Sequence, residues 1–153
     1  MRRTTTRWLA GGAGVLALAA MGAGAGLGLA AEKAETYKLS ATLVPGQEVP
    51  KPMGGSGSGT FAGTLTTGGK LKYTLTFKGL SGKAMQAHIH LGKKGKAGNV
   101  IVPLCGPCTS PVKGTATLKK SLVEDVEEGG TYVNVHTARN PAGEIRGQVA
   151  SKD

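Results

Sequence analysis

Aromatic side chains are scarce in this chain: one tryptophan, three tyrosines and two phenylalanines in 153 residues. Acidic residues are also few, nine against 19 lysines and arginines, and there are only two cysteines and three histidines. Without aromatics the chain lacks the stacking platforms that hold single-stranded nucleic acid. Its lysines are scattered and form no dense stripe, so nucleic acid is not an expected partner. Phosphate-loop and dinucleotide fingerprints are missing, and the serines sit in glycine-rich loops with no histidine neighbour in sequence. No nucleophile–base pair can be assembled from them. Beyond the N-terminal stretch no second apolar run is long enough to span a bilayer.

That N-terminal stretch reads as an export signal. Arg2, Arg3 and Arg7 make a basic start, a Gly/Ala/Leu-rich run follows from Trp8 to Ala31, and Glu32-Lys33 opens a polar segment. Small residues around Gly28–Ala31 suit cleavage after Ala30 or Ala31, which predicts a signal peptide over 1–31 and one domain over 32–153. The competing reading is an uncleaved anchor, the only membrane attachment the sequence offers. The Arg2-Arg3 pair hints at twin-arginine export, although Thr4-Thr5-Thr6 matches that signal poorly. Without the three leader arginines the charge falls from +10 to +7, with 16 basic and 9 acidic residues. A basic exported domain suits general attraction to an anionic envelope polymer or headgroup, or simply a soluble basic surface.

From Tyr37 onward the hydrophobic period is two. Leu71, Tyr73, Leu75 and Phe77 alternate with Lys72, Thr74, Thr76 and Lys78, and Thr67-Gly68-Gly69 before them reads as a hairpin turn. Gly54–Gly59 reads as a flexible connector outside the core. Leu122, Val123 and Val126 place one short helix over Ser121–Glu128, stopped by Gly129-Gly130. About eight short strands with glycine-rich turns predict an all-β domain, an antiparallel β-sandwich or flattened Greek-key barrel. Its core is expected to include Leu71, Tyr73, Leu75, Phe77, Ile89, Val133, Val135 and Ile145.

All three histidines fall in two of these strands. Successive side chains of a strand point to opposite faces, so His88 and His90 project together, while Met85, Ala87, Ile89 and Leu91 project the other way. His136 shares a face with Tyr132 and Asn134, opposite Val133 and Val135. A same-face histidine pair and a third histidine in another strand form a candidate metal site on the outer face of the domain. Neutral imidazoles suit copper, zinc or nickel and not magnesium or calcium. The bland alternative is a solvated polar face. Each ligand ring also needs an acceptor for its second nitrogen, and Asn134, Gln86 or a backbone carbonyl are the available types.

Cys105-Gly106-Pro107-Cys108 has thioredoxin-type spacing, but it follows a strand, and Pro111 disfavours a helix start behind it. In an exported chain the simplest reading is a local disulfide, ahead of metal ligation and redox catalysis. Glu144 and Arg146 share a strand face and read first as a surface cross-strand pair, with a ligand role for Arg146 as the second option. Glu124, Asp125, Glu127 and Glu128 read as a solvated helix end.

Two stretches resemble CHRD (chordin-type) domains: Ala87–Gly92 with Gly95 and Gly98-Asn99-Val100 behind it, and Tyr132–Thr137 followed by Asn140–Gln148. The resemblance runs from about Tyr37 to Val149 and implies an exported β-sandwich that serves as a binding module, without naming a reaction. A weaker similarity is to copper/zinc superoxide dismutases. It matches His88, His90 and His136 to three copper ligands and Arg146 to the anion-guiding arginine, with no histidine left for a bridging or zinc site. The first reading is therefore a secreted or envelope binding module without catalysis, holding one copper or zinc ion, its partner an unnamed protein or an anionic envelope component. The second is a copper-dependent oxidoreductase.

Overall fold

The computed structural model describes residues 34–153, so the expected signal peptide lies outside the described residues. Nine strands follow in order: β1 (Thr36–Leu43), β2 (Ser58–Thr66), β3 (Lys70–Lys78), β4 (Ala84–Leu91), β5 (Val100–Cys105), β6 (Val112–Thr117), β7 (Thr131–Thr137), β8 (Ile145–Gln148) and β9 (Ala150–Lys152). They form a five-stranded sheet in the order β6-β3-β2-β1-β9 and a four-stranded sheet in the order β5-β4-β7-β8. Every pairing is antiparallel. The two sheets do not close into a barrel, although an isolated bridge between Val44 and Arg146 links them at one corner. One α-helix, α1 (Lys120–Glu127), joins β6 to β7 and buries Val123 and Val126. Gly129, at φ +70°, ends it in the left-handed conformation. Among the described residues no helix is long and apolar enough to cross a membrane.

The alternation in the sequence is what builds the core. Leu71, Tyr73 and Leu75 of β3 face Ile89 of β4, Val133 and Val135 of β7 and Ile145 of β8 across the interior, all of them buried. Phe77 is half-buried and packs against that cluster. Tyr73 keeps its hydroxyl satisfied in the interior by donating to the Leu104 carbonyl at 2.8 Å.

The nine strands fit the expected count of about eight, and the structure corrects two other expectations. The ninth strand follows Val149. That side chain enters the core, and the residues after it cross to the other sheet, where β9 pairs with Lys38–Ser40 of β1. Only the first half of Gly54–Gly59 is a connector, since Gly57 and Gly59 are buried and Ser58 starts β2. A Cβ at Gly59 would stand 2.6 Å from the Thr76 carbonyl oxygen, so glycine there permits close strand approach and is not a sign of flexibility. Finally, Met85 does not face inward with Ala87 and Ile89. A register shift between Ala84 and Gln86 turns it outward, where it is 50% exposed.

The outer face of the four-stranded sheet is also covered. Every residue of β7 is buried, on both faces. The loop between β4 and β5 lies over that face and is tied down from beneath. Arg146 Nη2 donates to the Lys93 and Lys96 carbonyls at 3.1 and 2.9 Å, and Gln148 Nε2 donates to Gly92 O at 2.8 Å.

Candidate metal centre

β4 and β7 are neighbours, with His88 paired to Asn134, His90 to Tyr132 and Gln86 to His136. The three histidines therefore share the outer face of two adjacent strands. One nitrogen from each ring lies within 4.8 Å of the others. His88 Nδ1 and His136 Nε2 are 3.1 Å apart. Two ligands that far apart, each ~2.0–2.1 Å from one ion, subtend an angle of roughly 100°, a normal value between square-planar and tetrahedral.

The second nitrogen of two of the rings has a fixed job. His90 Nδ1 donates to the Gly98 carbonyl at 2.8 Å, and His136 Nδ1 donates to the Pro141 carbonyl at 2.9 Å. A carbonyl only accepts, so each bond places the proton on Nδ1 and leaves the Nε2 lone pair free. For His90 that Nε2 is buried and has no hydrogen-bond partner. A buried acceptor without a donor is what a metal ion would satisfy. Both orienting carbonyls come from turns: Gly98 from the β4–β5 loop and Pro141 from the Asn140–Gly143 turn between β7 and β8.

All three rings favour the neutral form that ligation needs. Burial lowers the His88 pKa to about 4, reinforced by His136 and His90. His90 and His136 are also lowered, chiefly by burial, against the opposing interactions of His90 with the Gly98 carbonyl and the Asn134 amide and of His136 with the Pro141 carbonyl.

The neighbours expected from the sequence are in place. Tyr132 stacks on His90 with ring centroids 4.9 Å apart and 11° between the planes. The Arg146 guanidinium lies over the Tyr132 ring, 3.4 Å from its centroid. Asn134 stands between His88 and Arg146 in the cross-strand row.

Glu144 and Arg146 are not the surface pair expected of them. They are 0% and 1% exposed, because loops cover this face. They also make no pair with each other. Glu144 accepts from the Ser81 backbone N–H at 2.6 Å, from Ser81 Oγ at 2.5 Å, from Thr137 Oγ1 at 2.6 Å and from Asn140 Nδ2 at 3.1 Å. Desolvation pushes that carboxyl up, but these hydrogen bonds outweigh it and hold its pKa below the usual carboxylate value.

Glu48 was not singled out by sequence reasoning. It is buried at 3% exposure, and burial raises its pKa to about 7 against the N–H of Val49, the charge of Arg146 and the Asn134 amide. Nothing in Gln47-Glu48-Val49-Pro50 marks that role, since it depends on a loop folding back over the sheet. The Gly98 and Pro141 acceptors were foreseen only as a type.

Cys105 and Cys108 stand at disulfide distance, S–S 2.03 Å, at the end of β5. The pair opens no helix, so the helix-terminal activation of a thioredoxin-type thiol has no counterpart there.

No curated protein and no solved structure matches the chain. The CHRD domain family matches residues 39–149. That span holds both histidine strands, the loop that seats Gly98 and the turn that seats Pro141. On that match the chain belongs to the CHRD domain family.

Proposed function

We propose that this CHRD domain is an exported binding module built around one metal ion held by His88 Nδ1, His90 Nε2 and His136 Nε2. The observation that carries the reading is the unpartnered Nε2 of buried His90, grouped within 4.8 Å of a nitrogen from each of the other two rings, while backbone carbonyls fix the tautomers of His90 and His136. Copper is the favoured ion, because three neutral imidazoles suit it and the pattern of ligands is similar to a dismutase copper site; zinc is the second choice. Export is supported by the basic and apolar N-terminus and by the paired cysteines, which persist in oxidising compartments. On this reading the leader is cleaved near Ala31 and the domain acts outside the cytoplasm or in the envelope, without catalysis, on a protein or anionic partner.

The Cu(II)-loaded protein, prepared without a histidine tag, tests the ligand set by electron paramagnetic resonance. Superhyperfine splitting from three nitrogens supports it, and a spectrum unchanged by His90→Ala refutes it.

A second reading, a copper-dependent oxidoreductase, rests on one observation. Arg146 is buried beside this site and its Nη1 has no hydrogen-bond partner, which leaves a donor for a small anion. Superoxide consumption by the copper-loaded protein that is lost in Arg146→Leu would support it over the binding module.

A further inference from the structure

The outward face of the five-stranded sheet is made almost entirely of lysine and threonine. Register places Thr42, Thr60 and Thr76 in one row across three strands. A parallel row runs Lys152, Lys38, Thr64, Lys72 and Thr115 across all five. Lys113 sits beside Thr74, and Lys70 beside Thr117. No outward position of these strands carries an acidic residue. Of the nine carboxylates in the sequence, Glu48 and Glu144 are buried under the other sheet's loops, four lie at residues 124–128 in or just after α1, and the remainder lie near the domain's termini. Acidic charge is kept off this face, which leaves its lysines unopposed there.

That face also has relief. A depression of about 660 Å³ lies between β2, β3 and β6, lined by threonines and lysines of this face, among them Thr64, Lys72 and Thr115, together with Leu71 and Ala116. Neighbouring strands are ~4.8 Å apart, so ammonium groups and hydroxyls are interspersed across the face at intervals of about one strand spacing. Three ligand chemistries compete for such a surface. A bilayer is held by apolar or aromatic side chains that enter the interface, and the outward face offers only Ala62 and Ala150 in that class. Single-stranded nucleic acid wants aromatic platforms, and there are none on it. A carbohydrate polymer that bears carboxylates uses both groups present: ammonium for the anion, threonine hydroxyls for the sugar hydroxyls. β-branched threonines, stiff at χ1, hold those hydroxyls in place at little entropic cost.

The geometry points to this face as a docking surface for an acidic polysaccharide, seated in the Thr64–Lys72–Thr115 depression. It is separate from the histidine cluster, which lies on the other sheet, and does not depend on the metal reading.

Affinity electrophoresis of the full protein in gels holding polygalacturonate, or its neutral methyl ester, tests the proposal, with phosphatidylglycerol vesicle sedimentation alongside. The expected result is retardation by the acid polymer and not by the ester, weakening as salt rises. Lys38→Glu/Lys72→Glu/Lys113→Glu should weaken it about tenfold or more, while Lys51→Glu/Lys83→Glu/Lys94→Glu, with the same charge change off the face, should stay within about twofold. Thr64→Val/Thr115→Val should also weaken it, with the fold and charge retained. Equal loss in the two lysine triples would reduce the effect to net charge and overturn the proposal. So would unchanged binding in the threonine pair, or sedimentation with vesicles in the absence of polymer binding.

Discussion

His88 Nδ1 and His136 Nε2 stand 3.1 Å apart although their residues are not paired across β4 and β7. They are diagonal neighbours, a relationship that long side chains bridge. Because His136 Nδ1 is committed to Pro141, its Nε2 can only accept. In the metal-free protein the gap is therefore closed by the His88 proton, which shifts to His88 Nε2 when an ion takes Nδ1. Because all three rings are already neutral, metal uptake at this centre should release almost no protons near pH 7, and protons should appear only as pH falls toward the His88 value of about 4. Titration of weakly buffered protein with copper or zinc, read by pH indicator, checks this; release of a full proton per ion at pH 7 would mean the ion enters elsewhere.

His88→Ala and His136→Ala should both abolish metal binding and differ in stability. His88 is half-buried and spends no nitrogen on the backbone, so its loss should cost less than about 1 kcal/mol in the metal-free state. His136 is 9% exposed and its removal strands the Pro141 carbonyl, which predicts about 1–3 kcal/mol. Urea unfolding of the two variants after chelation gives the comparison. Sequence alone placed His136 on an outer, solvated face and implied that both changes would be mild. The loops over β7 make the difference.

Gly98→Ala should weaken the metal centre without touching a ligand. A Cβ at this position would collide with the Leu91 carbonyl oxygen, displacing the loop whose Gly98 oxygen orients His90. Loss of such an orienting contact typically costs ~10–100-fold in metal affinity. Competition against a chromophoric chelator measures it, and unchanged affinity would show that the carbonyl does not position the ring.

Glu48 and the histidines should give stability opposite pH dependences. Glu48 is held up to about 7, so its contribution is full below about 4.5 and is lost as pH rises through 7. His88 is held down to about 4, so its contribution is present above about 6.5 and is lost as pH falls toward 4. With His90 and His136 lowered as well, the histidines outnumber Glu48, and metal-free protein should lose stability from pH 6.5 to 4. Glu48→Gln removes the opposing term. Its stability advantage over wild type should be near zero at pH 4 and grow to roughly 3 kcal/mol above pH 7. Urea midpoints across that range decide it, and a difference independent of pH would show that Glu48 titrates alike in the folded and unfolded chain.

Cys105 and Cys108 should titrate as no free thiol in native, unreduced protein. Replacing both by serine should cost about 2 kcal/mol, the chain-entropy value for so short a loop. Two reactive thiols in native protein would contradict the pairing.

The sequence makes legible whatever a single strand decides by itself. Leu71, Tyr73 and Leu75 announce the buried face of β3, and the period of two puts His88 and His90 side by side. Leu122, Val123 and Val126 place the helix to within one residue. What a strand does not decide is what lies on top of it. Glu144 and Arg146 read as a surface pair because their strand alternates, yet folded-back loops bury both. Met85 follows the period in sequence and breaks it in space, because a one-residue register shift depends on the partner strand. Gly57 and Gly59 look like a linker, and only packing against Leu80 and Thr76 shows why they lack side chains.

The central claim, one ion held by His88, His90 and His136, is tested most directly by equilibrium dialysis of tag-free protein against copper followed by elemental analysis. The account predicts one ion per chain in the wild type and none retained in His136→Ala. An empty wild type, or a His136→Ala variant that keeps its full ion, would contradict it.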